Sequence, residues 1–134
     1  MRRIVLQDVL AYNMGIKIYS NGKEYMRPML KKDMQIPCDF EHEFFTQQDY
    51  QERIEVIILQ GMNELAEDNE HIGDFEIILD ENLAMRKAGK CCIKVTFHVD
   101  ENHKLTVNAV EKKTGKSNKF EQNFKPDGMS EPRK

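Results

Sequence analysis

Apolar and polar side chains alternate along Cys91-Cys92-Ile93-Lys94-Val95-Thr96-Phe97-His98-Val99. Because successive side chains of a β-strand point to opposite faces, this alternation predicts a strand with one buried face. The polar segment Asp100-Glu101-Asn102-His103 follows and is typical of a four-residue hairpin loop. A return strand is expected over 104–109, so this part of the sequence predicts an antiparallel hairpin.

Turn residues divide the rest of the chain at a similar spacing. Asn21-Gly22 is the strongest hairpin signal, because both central residues of such a turn need a positive φ angle. Strands are predicted on either side of it, over 14–19 and 23–30. Further strands are predicted over 40–46, 53–60, 72–79 and 117–124, the first two as a second strand pair and 53–60 with both faces covered. About eight strands at this spacing predict an all-β protein, an antiparallel β-sandwich or barrel.

The composition excludes several functional classes. The 134 residues suffice for one domain with a hydrophobic core. A net charge of -3, only 8% aromatic residues and no tryptophan argue against nucleic-acid binding, so an oligonucleotide-binding barrel ranks far below other functions. Apolar runs are too short to span a bilayer, so no membrane partner is expected. Three cysteines cannot form a disulfide framework, which favours a reducing compartment such as the cytoplasm.

Catalytic and metal-binding patterns are weak. Cys91 and Cys92 are neighbours on a predicted strand, so they face opposite ways and cannot together hold one zinc ion. Glu41-His42-Glu43 resembles a metal cluster, but the alternation places both carboxylates on the face opposite the histidine. The glycines are scattered and form no phosphate-binding loop. The sequence therefore predicts no catalytic residue, no metal ligand and no enzymatic activity for this domain.

Several short motifs occur in an order that carries a family resemblance. They are Asp8-Val9, Met14-Gly15-Ile16, Met26 to Leu30, Ile36-Pro37, Leu59-Gln60-Gly61, Asp68-Asn69, Ile72-Gly73, Val95-Thr96-Phe97 and Lys113-Thr114-Gly115-Lys116. In this order they resemble the peptide-binding β-domain of the seventy-kilodalton heat-shock chaperones, the DnaK type. The resemblance extends from Ile4 to Phe124 and implies a β-sandwich of about eight strands.

The resemblance also implies a domain organisation. Residues 1–7 are expected to be a remnant of the inter-domain linker, residues 8–124 the peptide-binding β-sandwich, and residues 125–134 a disordered tail. The family's ATPase domain and helical lid are expected to lie outside these residues. No cofactor is therefore expected in this domain, since ATP and ADP bind to the separate nucleotide-binding domain.

The resemblance assigns candidate site residues by position. The peptide-binding pocket would consist of Ile16, Ile18, Phe44, Ile54 and Val56, with Tyr19, Gln47 and Gln51 forming an arch or contacting the peptide backbone. Coupling to the ATPase domain is implied for Asp8, Lys32 and Pro37, and a latch for the lid for Asp49 and Arg86. Periodicity alone favours sandwich core for the five pocket residues, whereas the resemblance favours a binding pocket.

The sequence leaves two functions open. The first is a chaperone domain that holds extended hydrophobic segments of unfolded polypeptides, under ATP control through the separate domain, with co-chaperones as further partners. The second is a docking or self-association module that keeps the sandwich but binds no clients. The second is motivated by Phe45, Gln47 and Arg53, where the family has different residues, and by the Asn21-Gly22 hairpin, which is longer than in the family. Such a module would bind a folded co-chaperone, or the linker or tail of another copy.

Overall fold

The structure is a computed structural model that describes residues 8–46, 52–79 and 91–129. This part of the chain contains eight β-strands and one short 3₁₀ turn, Ala66–Asp68. The strands are β1 (Met14–Ser20), β2 (Lys23–Leu30), β3 (Cys38–Phe45), β4 (Arg53–Gln60), β5 (Glu70–Ile78), β6 (Cys92–Val99), β7 (Lys104–Glu111) and β8 (Ser117–Asn123). The prediction of an all-β fold with about eight strands is confirmed.

The strands form two antiparallel sheets of four strands each. The first sheet has the order β2-β1-β4-β5 and the second has the order β3-β6-β7-β8. The predicted β1–β2 hairpin is confirmed: Ser20 pairs with Lys23, and Asn21 and Gly22 have φ angles of 52° and 78°. The hairpin predicted from residues 91–109 is also confirmed, with Val99 opposite Leu105.

One predicted pairing is wrong. Strands β3 and β4, expected to pair with each other, lie in different sheets. Strand β3 pairs with β6 over its whole length, and β4 lies between β1 and β5. Both strands suit either arrangement by their side-chain pattern, because alternation defines the faces of a strand but not its neighbour.

The main core fills the space between the sheets. Ile93, Val95, Phe97 and Val99 are each no more than 2% exposed, as expected from the alternation of β6. Gly73 of β5 lies directly against the ring of Phe120, so that a Cβ atom at position 73 would collide with that ring. This glycine allows the two sheets to approach closely at that point.

The outer face of the first sheet is also covered. Leu59, Met26 and Ala66 form a second buried cluster, and Ile57 packs against it. Ala66 belongs to the 3₁₀ turn, so the segment after β4 folds back over the sheet. The expectation that β4 is covered on both faces is confirmed for its second half alone, because Arg53 and Glu55 of the first half are exposed on the outer face.

The two ends of the sandwich differ. At the end where β1 starts and β2 finishes, Leu10 donates its N–H to the carbonyl of Met34, and Val9 forms an isolated bridge with Gln35. Residues 125–129 form a turn there, and Gln60 Nε2 donates to the carbonyl oxygen of Gly128 over 2.9 Å.

The expected linker, 1–7, lies outside the described residues, as do residues 130–134 of the expected tail. The division into linker, sandwich and tail stays a prediction.

Candidate functional site

A cleft of about 670 Å³ opens between the sheets at the opposite end, where β1 and β3 finish and β4 and β6 begin. Its volume lies in the range usual for ligand-binding pockets. The lining includes all five residues assigned to the pocket from the resemblance, together with Tyr19. The five are Ile16, Ile18, Phe44, Ile54 and Val56.

The five residues differ in depth. Ile16 and Val56 are 6% and 3% exposed and belong to the main core, so they form the floor of the cleft. Ile18, Phe44 and Ile54 pack against that core but remain partly exposed. The core and pocket interpretations are therefore both compatible with the structure, since the floor is core and the partly exposed residues face the cleft.

Aromatic side chains stand at the rim of the cleft. Tyr19 and Phe45 are 55% and 57% exposed, so much of their apolar surface faces water. Both line the cleft, Tyr19 from β1 and Phe45 from β3. Contact with a ligand would remove apolar surface of both residues from water.

The charged residues of the rim are largely paired. Lys17 Nζ lies 3.0 Å from Glu24 Oε2, and Arg53 Nη1 lies 3.3 Å from Glu76 Oε2. The ion pair with Glu76 compensates the charge of Arg53 beside the pocket. Such exposed pairs contribute little to stability, and here they flank an apolar floor.

Phe44 is held from behind by two polar side chains. The guanidinium carbon of Arg27 lies 5.9 Å from the centre of the Phe44 ring, and the His42 ring meets it edge-on at 4.8 Å between centroids. Arg27 Nη2 lies 3.4 Å from His42 Nδ1. Arg27 Nε is buried without a hydrogen-bond partner. Arg27 on β2 and His42 on β3 thus bridge the open side of the sandwich behind the cleft wall.

The residues assigned to inter-domain coupling lie at the end remote from the cleft. Asp8, Lys32 and Pro37 are all exposed there. The carbonyl oxygen of Asp8 accepts the N–H of Ile36, and its Oδ2 lies 3.3 Å from Nε2 of His103. These contacts connect the start of the described chain to the β6–β7 loop.

Four assigned residues lie outside the described part of the chain. They are Gln47 and Gln51 of the expected arch and backbone contacts, and Asp49 and Arg86 of the expected lid latch. Their assignments stay predictions.

The sequence interpretation missed part of the lining. Ile93 and Val95 of β6 contribute to the cleft from the second sheet, and Thr46, which is 8% exposed, closes its side. Their strand alternation marked Ile93 and Val95 as inward-facing, but only the packing of the two sheets shows that they reach the cleft.

A short ion pair lies on the outer face of the second sheet. Lys112 Nζ donates to Glu43 Oε1 over 2.7 Å, and this bond lowers the pKa of the Glu43 carboxyl and raises the pKa of Lys112. Partial burial and the neighbouring Glu43 raise the pKa of the Cys92 thiol. Cys91 is buried in the main core, so the two adjacent cysteines do face opposite ways.

Within 8–46, 52–79 and 91–129, no group of three or more His, Cys, Asp or Glu side chains is arranged to hold a metal ion. The same ranges contain no helix of the length and apolarity needed to cross a membrane.

The fold and the cleft define the molecule as a two-sheet antiparallel β-sandwich with an apolar pocket at one end. The family model described as Hsp70 protein matches residues 1–131, so the chain belongs to the Hsp70 family of chaperones. The chain is similar to the chaperone protein DnaK of Deinococcus proteolyticus, with 33% identity over 113 residues. That match covers 84% of this chain but only 17% of the relative.

Proposed function

We propose that this domain binds extended, apolar segments of unfolded polypeptides in the cleft between its two sheets. The observation that carries the proposal is that all five residues assigned to a peptide pocket from the family resemblance line one cleft. They come from three strands in two sheets, so their proximity in space does not follow from their positions along the chain.

The cleft suits a single apolar side chain of the client. Ile16 and Val56 provide a dry floor, and burial of a leucine against such a surface contributes about 1.5–3 kcal/mol. Recognition of extended chains takes further affinity from main-chain hydrogen bonds, with selectivity from the pockets. In this proposal Tyr19 and Gln47 arch over the client and Gln51 contacts its backbone. Asp49 and Arg86 would latch a lid.

Control by nucleotide belongs to the same proposal. Asp8, Lys32 and Pro37 would transmit the state of a separate ATP-binding domain, and all three lie at the end of the sandwich remote from the cleft. A signal from that domain would have to cross the sandwich to reach the client. This domain itself would hold no nucleotide and carry out no catalysis, and co-chaperones and unfolded proteins would be the partners.

The proposal is tested by titrating the chain into a fluorescently labelled, leucine-centred extended peptide and following anisotropy. A peptide with glycine in place of leucine is the control. Saturable binding of the leucine peptide together with much weaker binding of the glycine peptide supports client capture in the cleft. No binding by the folded chain, verified by circular dichroism, would overturn it.

A docking or self-association module is the second candidate, and exposed apolar side chains at the remote end favour it. Val9, Tyr12 and Met129 are 36%, 41% and 59% exposed, and Gly128 packs against the ring of Tyr12. A concentration-dependent sedimentation coefficient that is lost on Tyr12→Ser would support this candidate. A concentration-independent monomer would refute self-association.

A further inference from the structure

Phe44 is the cleft residue with the most specific support from behind. Its ring faces the cleft, and behind it lie the guanidinium of Arg27, at 5.9 Å, and the ring of His42, at 4.8 Å. A cation at this distance from an aromatic ring is attracted to it. The two supporting residues come from edge strands of different sheets, so they tie β2 to β3 at the position of Phe44.

The contact between Arg27 and His42 depends on the protonation of the histidine. A guanidinium can only donate hydrogen bonds, so the 3.4 Å contact of Arg27 Nη2 with His42 Nδ1 requires Nδ1 to be an acceptor. A hydrogen bond in this arrangement thus requires a neutral imidazole with its proton on Nε2. After protonation Nδ1 becomes a donor, and two positive charges then face each other at the same distance.

Few other groups near His42 could compensate the second positive charge that its protonation would add beside Arg27. Glu41 and Glu43 are neighbours on β3 but point to the opposite face, where Glu43 pairs with Lys112. Across the sheet, β6 presents Val95 opposite His42, with Ile93 and Phe97 on the same face. On β2, alternation places Lys23 and Tyr25 on the same face as Arg27, and neither of them is a carboxylate that could compensate a second positive charge.

Arg27 is weakly anchored in its position. Its Nε is buried without a partner, and within the described residues its guanidinium contacts no carboxylate. The guanidinium thus depends on His42 and Phe44, and loss of the His42 contact frees it to turn towards water. A neutral His42 keeps Arg27 behind the ring, and a protonated His42 repels it.

We infer that Arg27 and His42 are positioning residues of the cleft, which hold the Phe44 ring in place while His42 is neutral and release it when His42 is protonated. The inference rests on the proposed function, since it describes how the same cleft is regulated. Histidine side chains change charge between about pH 8 and pH 5, so client affinity should fall with acidification in that range.

The test repeats the leucine-peptide titration with the whole chain at several values between about pH 8 and pH 5.5. We expect the wild-type affinity to fall by about three- to tenfold over this range, as the loss of one cation–π contact and one hydrogen bond implies. His42→Gln, whose amide oxygen can accept the Arg27 bond at any pH, should bind with an affinity independent of pH. Arg27→Met should bind more weakly at pH 8 and also lose the pH dependence, whereas Arg27→Lys should restore part of the affinity.

His98→Gln is the matched control. His98 lies on the outer face of β6, 3.8 Å from Asp39, and takes no part in the lining of the cleft. This variant should keep the wild-type pH dependence.

The outcomes separate this inference from the proposed function. Absence of peptide binding at pH 8 would overturn the proposed function and the inference with it. Binding at pH 8 with an affinity that does not change down to pH 5.5, or that changes equally in His42→Gln, would overturn the inference alone. As a second readout without peptide, the NMR shifts of the Phe44 ring protons should follow the His42 titration in the wild type, and unchanged shifts would also overturn it.

Discussion

Replacement of Ile54 by glutamate is the sharpest perturbation of the cleft. Ile54 lies on β4, lines the cleft and is only partly buried, so a carboxylate at this position can reach water at the cleft mouth. We therefore expect Ile54→Glu to fold, with a loss of stability in the range of an ordinary point mutation, about 1–2 kcal/mol.

The expected loss of peptide affinity is much larger. A client leucine seated against Ile54 gains about 1.5–3 kcal/mol from burial, and most of this is lost when the wall becomes charged. Covering the new carboxylate with an apolar side chain adds a desolvation cost of at least about 1 kcal/mol. Together these terms weaken binding by about a hundredfold or more.

The assay is the anisotropy titration with the leucine-centred peptide, with thermal melting of each variant measured in parallel. Ile78→Glu is the matched control, because it makes the same substitution on the neighbouring strand β5 at a side chain that is 62% exposed and outside the cleft lining. This control should bind as the wild type does. Wild-type affinity in a folded Ile54→Glu variant would refute the assignment of the cleft as the client site.

Three further predictions concern stability and thiol reactivity. Gly73→Ala should destabilise the sandwich by about 1–3 kcal/mol in denaturant unfolding, because the new methyl group meets the ring of Phe120; an unchanged midpoint would contradict the close sheet contact. Glu111→Ala should cost about 1–3 kcal/mol, since the fully buried carboxylate accepts two backbone N–H groups of the following turn, and unchanged stability would contradict this role. Glu43→Gln should speed alkylation of Cys92 near pH 8, because removing this charge lowers the raised thiol pKa and increases the reactive thiolate; an unchanged rate would refute the coupling.

The alkylation measurement needs a variant in which a second thiol is removed, and the Gly73→Ala measurement needs a control substitution. Alkylation should be followed in a Cys38→Ser variant, because burial and Asp39 also raise the pKa of the partly exposed Cys38 thiol. For Gly73→Ala, the matched control is Lys23→Ala, an exposed position at the β1–β2 turn, where little change is expected.

The strands were predicted well because neighbouring residues in the sequence determine where a strand lies and where it turns. Alternation in residues 91–99 and the Asn21-Gly22 turn determine faces and hairpins without reference to the rest of the molecule. Strand order has no such signal: the pattern of β3 fits a neighbour in either sheet, and the predicted β3–β4 pair was wrong for that reason. The cover over Leu59 likewise has no local signal, because it comes from Met26 and Ala66, which lie elsewhere along the chain.

The candidate site, like the fold, could be predicted from the sequence only in part. Ile54 and Val56 were assigned by resemblance, and the structure places them on one cleft. The support of Phe44 by Arg27 was not predictable from sequence, because the two residues are distant along the chain and belong to different sheets. Contacts of this kind arise from the packing of edge strands. They produce no repeating pattern of apolar and polar residues in the sequence.

Methyl NMR of the isoleucine- and valine-labelled chain, recorded during titration with the leucine-centred peptide, would show where on the domain a client binds. The account predicts that the methyl signals of Ile16, Ile18 and Ile54 move with the peptide concentration, while Val99 and Val107, in the core outside the cleft lining, stay in place. Saturable binding that leaves those three isoleucines unmoved, or that shifts the Val9 signals at the remote end instead, would contradict it.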